Sequence, residues 1–155
     1  MTARRSRSGG ARLPYDGELF FKLVRVVNLT ARPFVETLAR RHKLSLNEWR
    51  VMIVLASHPG SAAHEIADVT GLDKMSVSRA IAALGRHDRI SRRPDPQDAR
   101  RTLLELNAAG RRIYQAIGIS GREREAQLFA GIGADDKAEL ERLIDRLVAA
   151  VETPR

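Results

Sequence analysis

Between Lys74 and Arg86 the chain sets two unlike surfaces back to back. Val77, Ala80, Ile81 and Leu84 recur at i, i+3, i+4 and i+7, which makes one buried stripe of a helix. Lys74, Met75, Ser76, Arg79, Ala83 and Arg86 face the other way, with Ser78 beside them. Hydroxyls, small apolar groups and a guanidinium are what a helix needs to touch base edges in a major groove. A solvated helix face would carry Glu/Lys pairs instead, and this one has no carboxylate between positions 74 and 86. A second set of basic side chains follows at Arg92, Arg93, Arg100 and Arg101, around Pro94-Asp95-Pro96-Gln97-Asp98. Two aspartates cannot pair four guanidinia locally, so phosphate is the natural partner for the remainder.

The elements that must position these groups can be read from their punctuation. Asp73 can cap the helix that follows it, and Gly71 can end the preceding one in a left-handed conformation. Arg86 and Arg89 suit the negative end of the helix dipole. Prolines and aspartates at 94–98 forbid helix and favour a turn. Ile90 to Arg93 on one side and the alternation through Thr102, Leu104 and Leu106 on the other favour strands. The spacing therefore predicts a helix and then a projecting β-hairpin. Ala63, Ile66, Ala67 and Val69 give a short bracing helix with Ser61 as its cap, so a helix-turn-helix falls at about Ala62 to Arg86.

Helix, recognition helix and hairpin in this order resemble the winged helix-turn-helix of the MarR family of bacterial transcription regulators. The most specific matches are Asp95-Pro96-x-Asp98-x-Arg100, Leu106-x-x-x-Gly110 and DKMSVSRAIAAL, and the resemblance spans nearly the whole chain. It departs at Ala99, where a basic residue is usual, and at Asn107, where Thr is usual. The resemblance implies a fold that is mainly α with a small β-hairpin wing: a winged lobe at 44–110, and N- and C-terminal helices at 14–43 and 111–152 forming a dimerisation region. It also implies double-stranded DNA as partner, with Arg100 entering the minor groove and Asp98 pairing with a wing arginine to hold the hairpin. Ser76, Ser78 and Arg79 would then meet base edges and nearby phosphates, Met75 thymine methyls, and Lys74, Arg86, Arg92 and Arg93 phosphates. A homodimer on a palindromic site, mostly repressing, and a small, often aromatic or anionic effector between the dimer helices and the lobe complete the expectation. Phe20, His42, Trp49, Arg50 and Met52 lie where that cleft could form, although Trp49 and Met52 suit the core better than a ligand wall and Arg50 could pair with Glu48 or Glu36.

Charge agrees with a polyanion partner. The 155 residues carry a net +8, and from Asp73 to Arg112 ten basic residues stand against five acidic, whereas from Arg122 onward eight acids face six bases. Residues 1–13 hold four arginines and no acid, the composition of a disordered basic arm. No apolar run is long enough for a membrane and no signal-peptide core follows the basic start, so the expected location is the cytoplasm. With no cysteine there is neither a disulfide framework nor thiolate chemistry.

An enzyme would need a reactive constellation, and the sequence has no Gly-rich Lys loop, His-Glu-x-x-His or Gly-x-Ser-x-Gly. His42, His58, His64 and His87 are scattered on different elements; His58 and His64 flank a turn and could meet, but without a set of carboxylate ligands to complete a site, so neither metal nor cofactor is expected. A non-specific architectural DNA binder and a winged protein-interaction module are the alternatives.

The outer elements complete the reading. About Asp16 to His42 carries Leu19, Phe20, Leu23, Val26, Val27, Val35, Leu38 and Ala39 as one stripe, with Pro33 expected to kink or interrupt it near Thr30. Leu46 to Ala56, capped by Ser45, is apolar on more than one face and should lie between layers. After Gly110 come two helices: one to about Phe129, weakened at Gly118 and Gly121, and one from Asp135 with Leu140, Leu143, Ile144, Leu147, Val148 and Val151 as its stripe. The terminal helices carry more apolar surface than the central lobe can cover.

Overall fold

The computed structural model describes residues Glu18–Glu152. In chain order these form α1 (Glu18–His42), α2 (Leu46–Ser57), α3 (Ala63–Thr70), α4 (Lys74–Arg86), β1 (Ile90–Pro94), β2 (Thr102–Leu106), α5 (Ala108–Leu128) and α6 (Ala134–Glu152). The fold is mainly α with one antiparallel hairpin, as expected. The proposed basic arm at 1–13 lies outside the described residues, as do the side chains of Val35, Leu38 and Ala39.

Caps set most of the boundaries. Ser45 Oγ accepts from Glu48 N at 3.2 Å while Glu48 Oε1 accepts from Ser45 N at 3.3 Å, a reciprocal capping box that starts α2. The α3 cap differs from expectation. The Ser61 hydroxyl donates to His58 O at 2.7 Å, so Ala62 takes the cap position and Glu65 Oε2 accepts from its N–H at 2.7 Å. Gly71 closes α3 at φ 65°, the left-handed region that favours glycine. Asp73 Oδ1 then accepts from Ser76 N at 2.8 Å and starts α4.

The core is built by the central lobe. Val51, Met52, Leu55, Ile66, Val77, Leu84, Leu104 and Leu106 are buried, drawn from α2, α3, α4 and β2. Within β2 the alternation is broken, since Leu103 and Leu104 are both buried. The reason lies on its far side, where Gly60 N donates to Leu104 O at 2.8 Å and Leu104 N to Ser61 O at 3.1 Å, so β2 is flanked by β1 and by the α2–α3 turn. In α3, Val69 is 65 % exposed and leaves Ile66 and Ala67 alone to brace α4.

Two expectations about the long helices need correction. α1 is one helix of 25 residues: of the kink or interruption expected near Thr30, the interruption does not occur. Proline removes a single N–H from that ladder, and Thr30 Oγ1 donates to Val26 O at 2.7 Å just upstream. α5 begins at Ala108, not Arg111, because Asn107 serves as its cap: Oδ1 accepts from Gly110 N at 2.9 Å and Nδ2 donates to Asp88 O at 2.8 Å. The helix passes through Gly118 and Gly121 without a break. α6 buries none of its residues.

Candidate nucleic-acid interface

The recognition helix presents the face read from its spacing. Val77, Ala80, Ile81 and Leu84 are buried, while Lys74, Met75, Ser78, Arg79 and Arg86 are exposed. Ser76 is more occupied than expected: its hydroxyl donates to Asp73 Oδ2 at 2.6 Å, and this bond first, with the Ser76 N–H next, holds the Asp73 carboxyl below its ordinary value. That hydroxyl keeps acceptor capacity but its proton is engaged. Ser78 is the freer hydroxyl of the two.

The wing is held by backbone geometry at its tip and by ions at its base. Asp95 N donates to Arg101 O at 2.9 Å and Arg101 N to Asp98 O at 2.8 Å, closing the 95–101 loop. The Asp98 carboxylate accepts from Arg100 N at 3.0 Å. It therefore shapes the hairpin as expected, but through the main chain; the arginine pairing falls to Asp95, whose Oδ2 lies 3.6 Å from Arg101 Nε. Arg101 also donates to Glu65 Oε1 at 2.9 Å and so ties the wing to α3. Together with the Ala62 N–H, the larger cause, this holds the Glu65 carboxyl below its ordinary value.

Two further arginines are partly committed. Arg92 Nη2 donates to Ile81 O at 3.3 Å, which lays this side chain along α4 beside Gly85. Arg93 reaches back to the α2–α3 turn, where its Nη2 would stand 3.5 Å from a Cβ on Gly60. Both remain exposed and keep donors for phosphate. Arg100 is exposed. It shares with Lys74 a cleft of about 460 Å³ between the wing base and the starts of α3 and α4, lined also by His64, Arg101 and Thr102 and by no carboxylate. His64 joins them unannounced by the sequence, since only the fold brings α3 to the wing.

The five residues expected at an effector cleft are not brought together. Phe20 is 73 % exposed near the start of α1 and His42 ends the same helix; at ~1.5 Å per residue they stand ~33 Å apart. Met52 is fully buried, and Trp49 is buried in the core with its ring stacked on Tyr114 at 5.3 Å between centroids. Of the five, only Arg50 lines a cleft between the terminal helices and the lobe, about 370 Å³ in volume, with Thr30, Leu46, Arg124, Glu125 and Leu128. Arg50 donates to Asn47 Oδ1 at 3.2 Å, not to Glu48 or Glu36, and Arg124 donates to Thr30 O at 3.0 Å, joining α5 to α1. No helix among the described residues is long and apolar enough to cross a membrane, and no cluster of metal-ligating side chains occurs among them.

Comparison with known proteins agrees with this geometry. The sequence model of the MarR family matches residues 44–102, from just before α2 to the start of β2. The homoprotocatechuate degradative operon repressor of Escherichia coli is 22 % identical over 119 residues, which cover 77 % of this chain and 80 % of that protein. Among solved structures, the PcaV transcriptional regulator of Streptomyces coelicolor in complex with its natural ligand superposes with a TM-score of 0.73 at 26 % identity, over 90 % of this chain and 95 % of that one. A MarR variant from E. coli complexed with operator DNA superposes with a TM-score of 0.73 at 22 % identity, over 84 % of this chain and 94 % of that one.

Proposed function

We infer that this protein, whose winged helix belongs to the MarR family, is a DNA-binding transcription regulator that grips a palindromic operator as a symmetric dimer. The observation that carries the reading is the pairing of two surfaces on one side of the lobe: the carboxylate-free α4 face with Met75, Ser78 and Arg79, and the cleft where Lys74 and Arg100 meet. α4 enters the major groove, the wing reaches the adjoining minor groove with Arg100, and Arg86, Arg92 and Arg93 take phosphates. Two copies are required because the stripes on α1 and α6 lie open: Leu19 and Phe20 are 72 % and 73 % exposed, and Leu143, Ile144 and Leu147 are 42 to 49 % exposed. Burying such side chains is worth ~1.5–3 kcal/mol each, and pairing the terminal helices of two chains does so. A two-fold dimer sets its recognition helices about one DNA turn apart.

The protein acts in the cytoplasm as a repressor, released by a small aromatic or anionic molecule seated between Arg50 and Arg124. A cavity of about 370 Å³ suits a compact ligand, and two guanidinia against the single carboxylate of Glu125 at its wall leave a positive balance that favours an anionic group. Fluorescence anisotropy with a palindrome from the protein's own upstream region, against a scrambled duplex at fixed salt, tests the reading. Preference of ~10³ or more is expected. Equal binding to both duplexes would replace it with sequence-independent packaging. Arg100→Ala is expected to weaken specific binding by ~1–3 kcal/mol.

A further inference from the structure

Arg89 stands where the recognition helix ends, yet it does not serve that helix's dipole. Its side chain is buried, at 6 % exposure for the residue, and runs away from α4 to the far end of α1. There the guanidinium donates to His42 O and, at 3.3 Å, to Lys43 O. These are carbonyls at and just past the last turn of α1, which lack intrahelical donors. The same guanidinium lies 3.9 Å from Glu48 Oε2, an atom that accepts no hydrogen bond among the described residues, while Glu48 Oε1 is held by Ser45 Oγ at 2.7 Å.

The main chain of Arg89 is fixed as tightly as its side chain. Its N–H donates to Leu84 O at 2.9 Å, within α4, and its carbonyl accepts from Asn107 N at 3.2 Å, the cap of α5. On either side of this link the backbone turns through left-handed residues that are not glycine, Lys43 at φ 47° and Asp88 at φ 49°. One residue thus bonds to the recognition helix, to the start of α5, to α2 and to the end of α1. α1 carries the open apolar face, and α4 carries the groove-reading face.

We propose that Arg89 is a positioning residue that fixes the angle between the terminal-helix region and the DNA-binding lobe, and thereby sets which half-site spacing the dimer accepts. The inference rests on the dimeric regulator described above. A planar guanidinium with two donors on successive carbonyls and a carboxylate at its edge resists rotation in a way an ammonium cannot. Burial pushes the Arg89 guanidinium below its ordinary value while Glu48 opposes that, so the charge is kept where it is used. If the link holds the lobe rigidly, a shifted half-site cannot be met by tilting the lobe, and spacing errors are penalised.

The chain has no cysteine, so a spin label on Val69→Cys, at a position 65 % exposed on α3, gives one distance distribution across the dimer. The comparison is made with Arg89 intact, with Arg89→Lys, and with Arg89→Gln combined with Glu48→Gln, which removes both charges together and leaves no unpaired carboxylate inside. Operator affinity is measured in parallel on palindromes with spacing altered by two base pairs in each direction. With Arg89 intact the distribution is expected to be narrow and the altered spacings to cost ~100-fold, the scale of one or two mismatched base pairs. Both Arg89 variants should give a broader distribution and lose ~10-fold or less for the same change. Equal widths, or one common loss of affinity at every spacing, would overturn the proposal, the second by showing a merely structural role. Absence of any dipolar pair with Arg89 intact would overturn the dimer reading and this inference with it, an outcome distinct from an unchanged width.

Discussion

Gly110→Ala should destabilise the protein although the position is helical, where replacing glycine by alanine normally gains up to ~1 kcal/mol. A Cβ built on Gly110 stands 2.1 Å from Arg89 O and 3.3 Å from a Leu106 methyl. To reach even the tightest tolerated contact, the carbonyl and the helix must part by about 1 Å. Neither is free to move. Arg89 O already accepts from Asn107 N at 3.2 Å, and Gly110 N donates to the Asn107 cap at 2.9 Å. Overpacking costs ~1–3 kcal/mol and weakening these two bonds adds ~1 kcal/mol, so after a propensity gain of up to ~1 kcal/mol the net loss should be ~1–3 kcal/mol. Gly118 and Gly121 on the same helix supply the controls. A Cβ at Gly118 meets only the flexible Arg122 Nη1 at 3.9 Å, and one at Gly121 meets nothing within 4 Å, so alanine at each should stabilise by up to ~1 kcal/mol. Urea titration followed by the fluorescence of the single tryptophan reads the helix directly, since Trp49 stacks on Tyr114 of α5. All variants must be compared at one protein concentration, because association contributes to apparent stability. Should Gly110→Ala unfold with or after the parent protein, the close approach of Arg89 to α5 is wrong and so is the account of why glycine stands there.

Other expectations follow from the same contacts. Leu147→Glu on α6 places a charge on a face whose side chains bury only on association, and should raise the dimer dissociation constant by ~10-fold or more in sedimentation equilibrium. An aromatic carboxylate such as benzoate should weaken operator binding, and Arg50→Ala should blunt that response without lowering affinity for the free operator; loss of both together would place Arg50 outside the cleft's chemistry. The Asp73 carboxyl is held low, chiefly by the Ser76 hydroxyl, so its contribution is complete above the unfolded-state value of ~3.9 and is lost as pH falls through the lower folded-state value. Stability of Asp73→Asn should therefore fall less between pH 5 and 2 than that of the parent protein, as followed by circular dichroism.

What the sequence disclosed and what it hid divide along the range of the interactions. Asp73, Gly71, Ser45 and the alternating flanks of the hairpin act over a few residues, and each of the elements they bound lies where the spacing put it. Ser61 misled because two neighbouring residues compete for one cap, and the His58 carbonyl takes the hydroxyl first. Arg89 was read as a local dipole partner because nothing within its own segment betrays the α1 carbonyls 46 and 47 positions away. The wing shows the same limit. Asp95 and Asp98 were correctly seen as the hairpin's acids, but Glu65 on α3, which takes the strongest of the wing's ion pairs at 2.9 Å, belongs to an element 36 residues earlier in the chain. The cleft beside Arg50 was least legible, because apolar side chains such as Trp49 and Met52, which suit a core, say nothing about where an open cleft lies. Arg124, which lines the same cleft as Arg50, offered no local pattern at all.

Burial is distributed in a way that bears on how folding and function are joined. Among the described residues the buried apolar ones run from Leu44 to Ile117, so the lobe closes its core with the first half of α5, while α6 buries none of its residues and the start of α1 lies open. A lobe of that kind can fold before the terminal helices find partners, and in the proposed dimer association would then order those helices. Side-chain contacts that tie α1 to the elements after it include Arg89 on the carbonyls that end α1, and Arg124 of α5 on Thr30 O beside the cleft. A ligand wedged between Arg50 and Arg124 would act on the second of these while leaving the core untouched. Its differential affinity for the two arrangements, typically worth ~1–3 kcal/mol in such couplings, would appear in full as a loss of operator affinity.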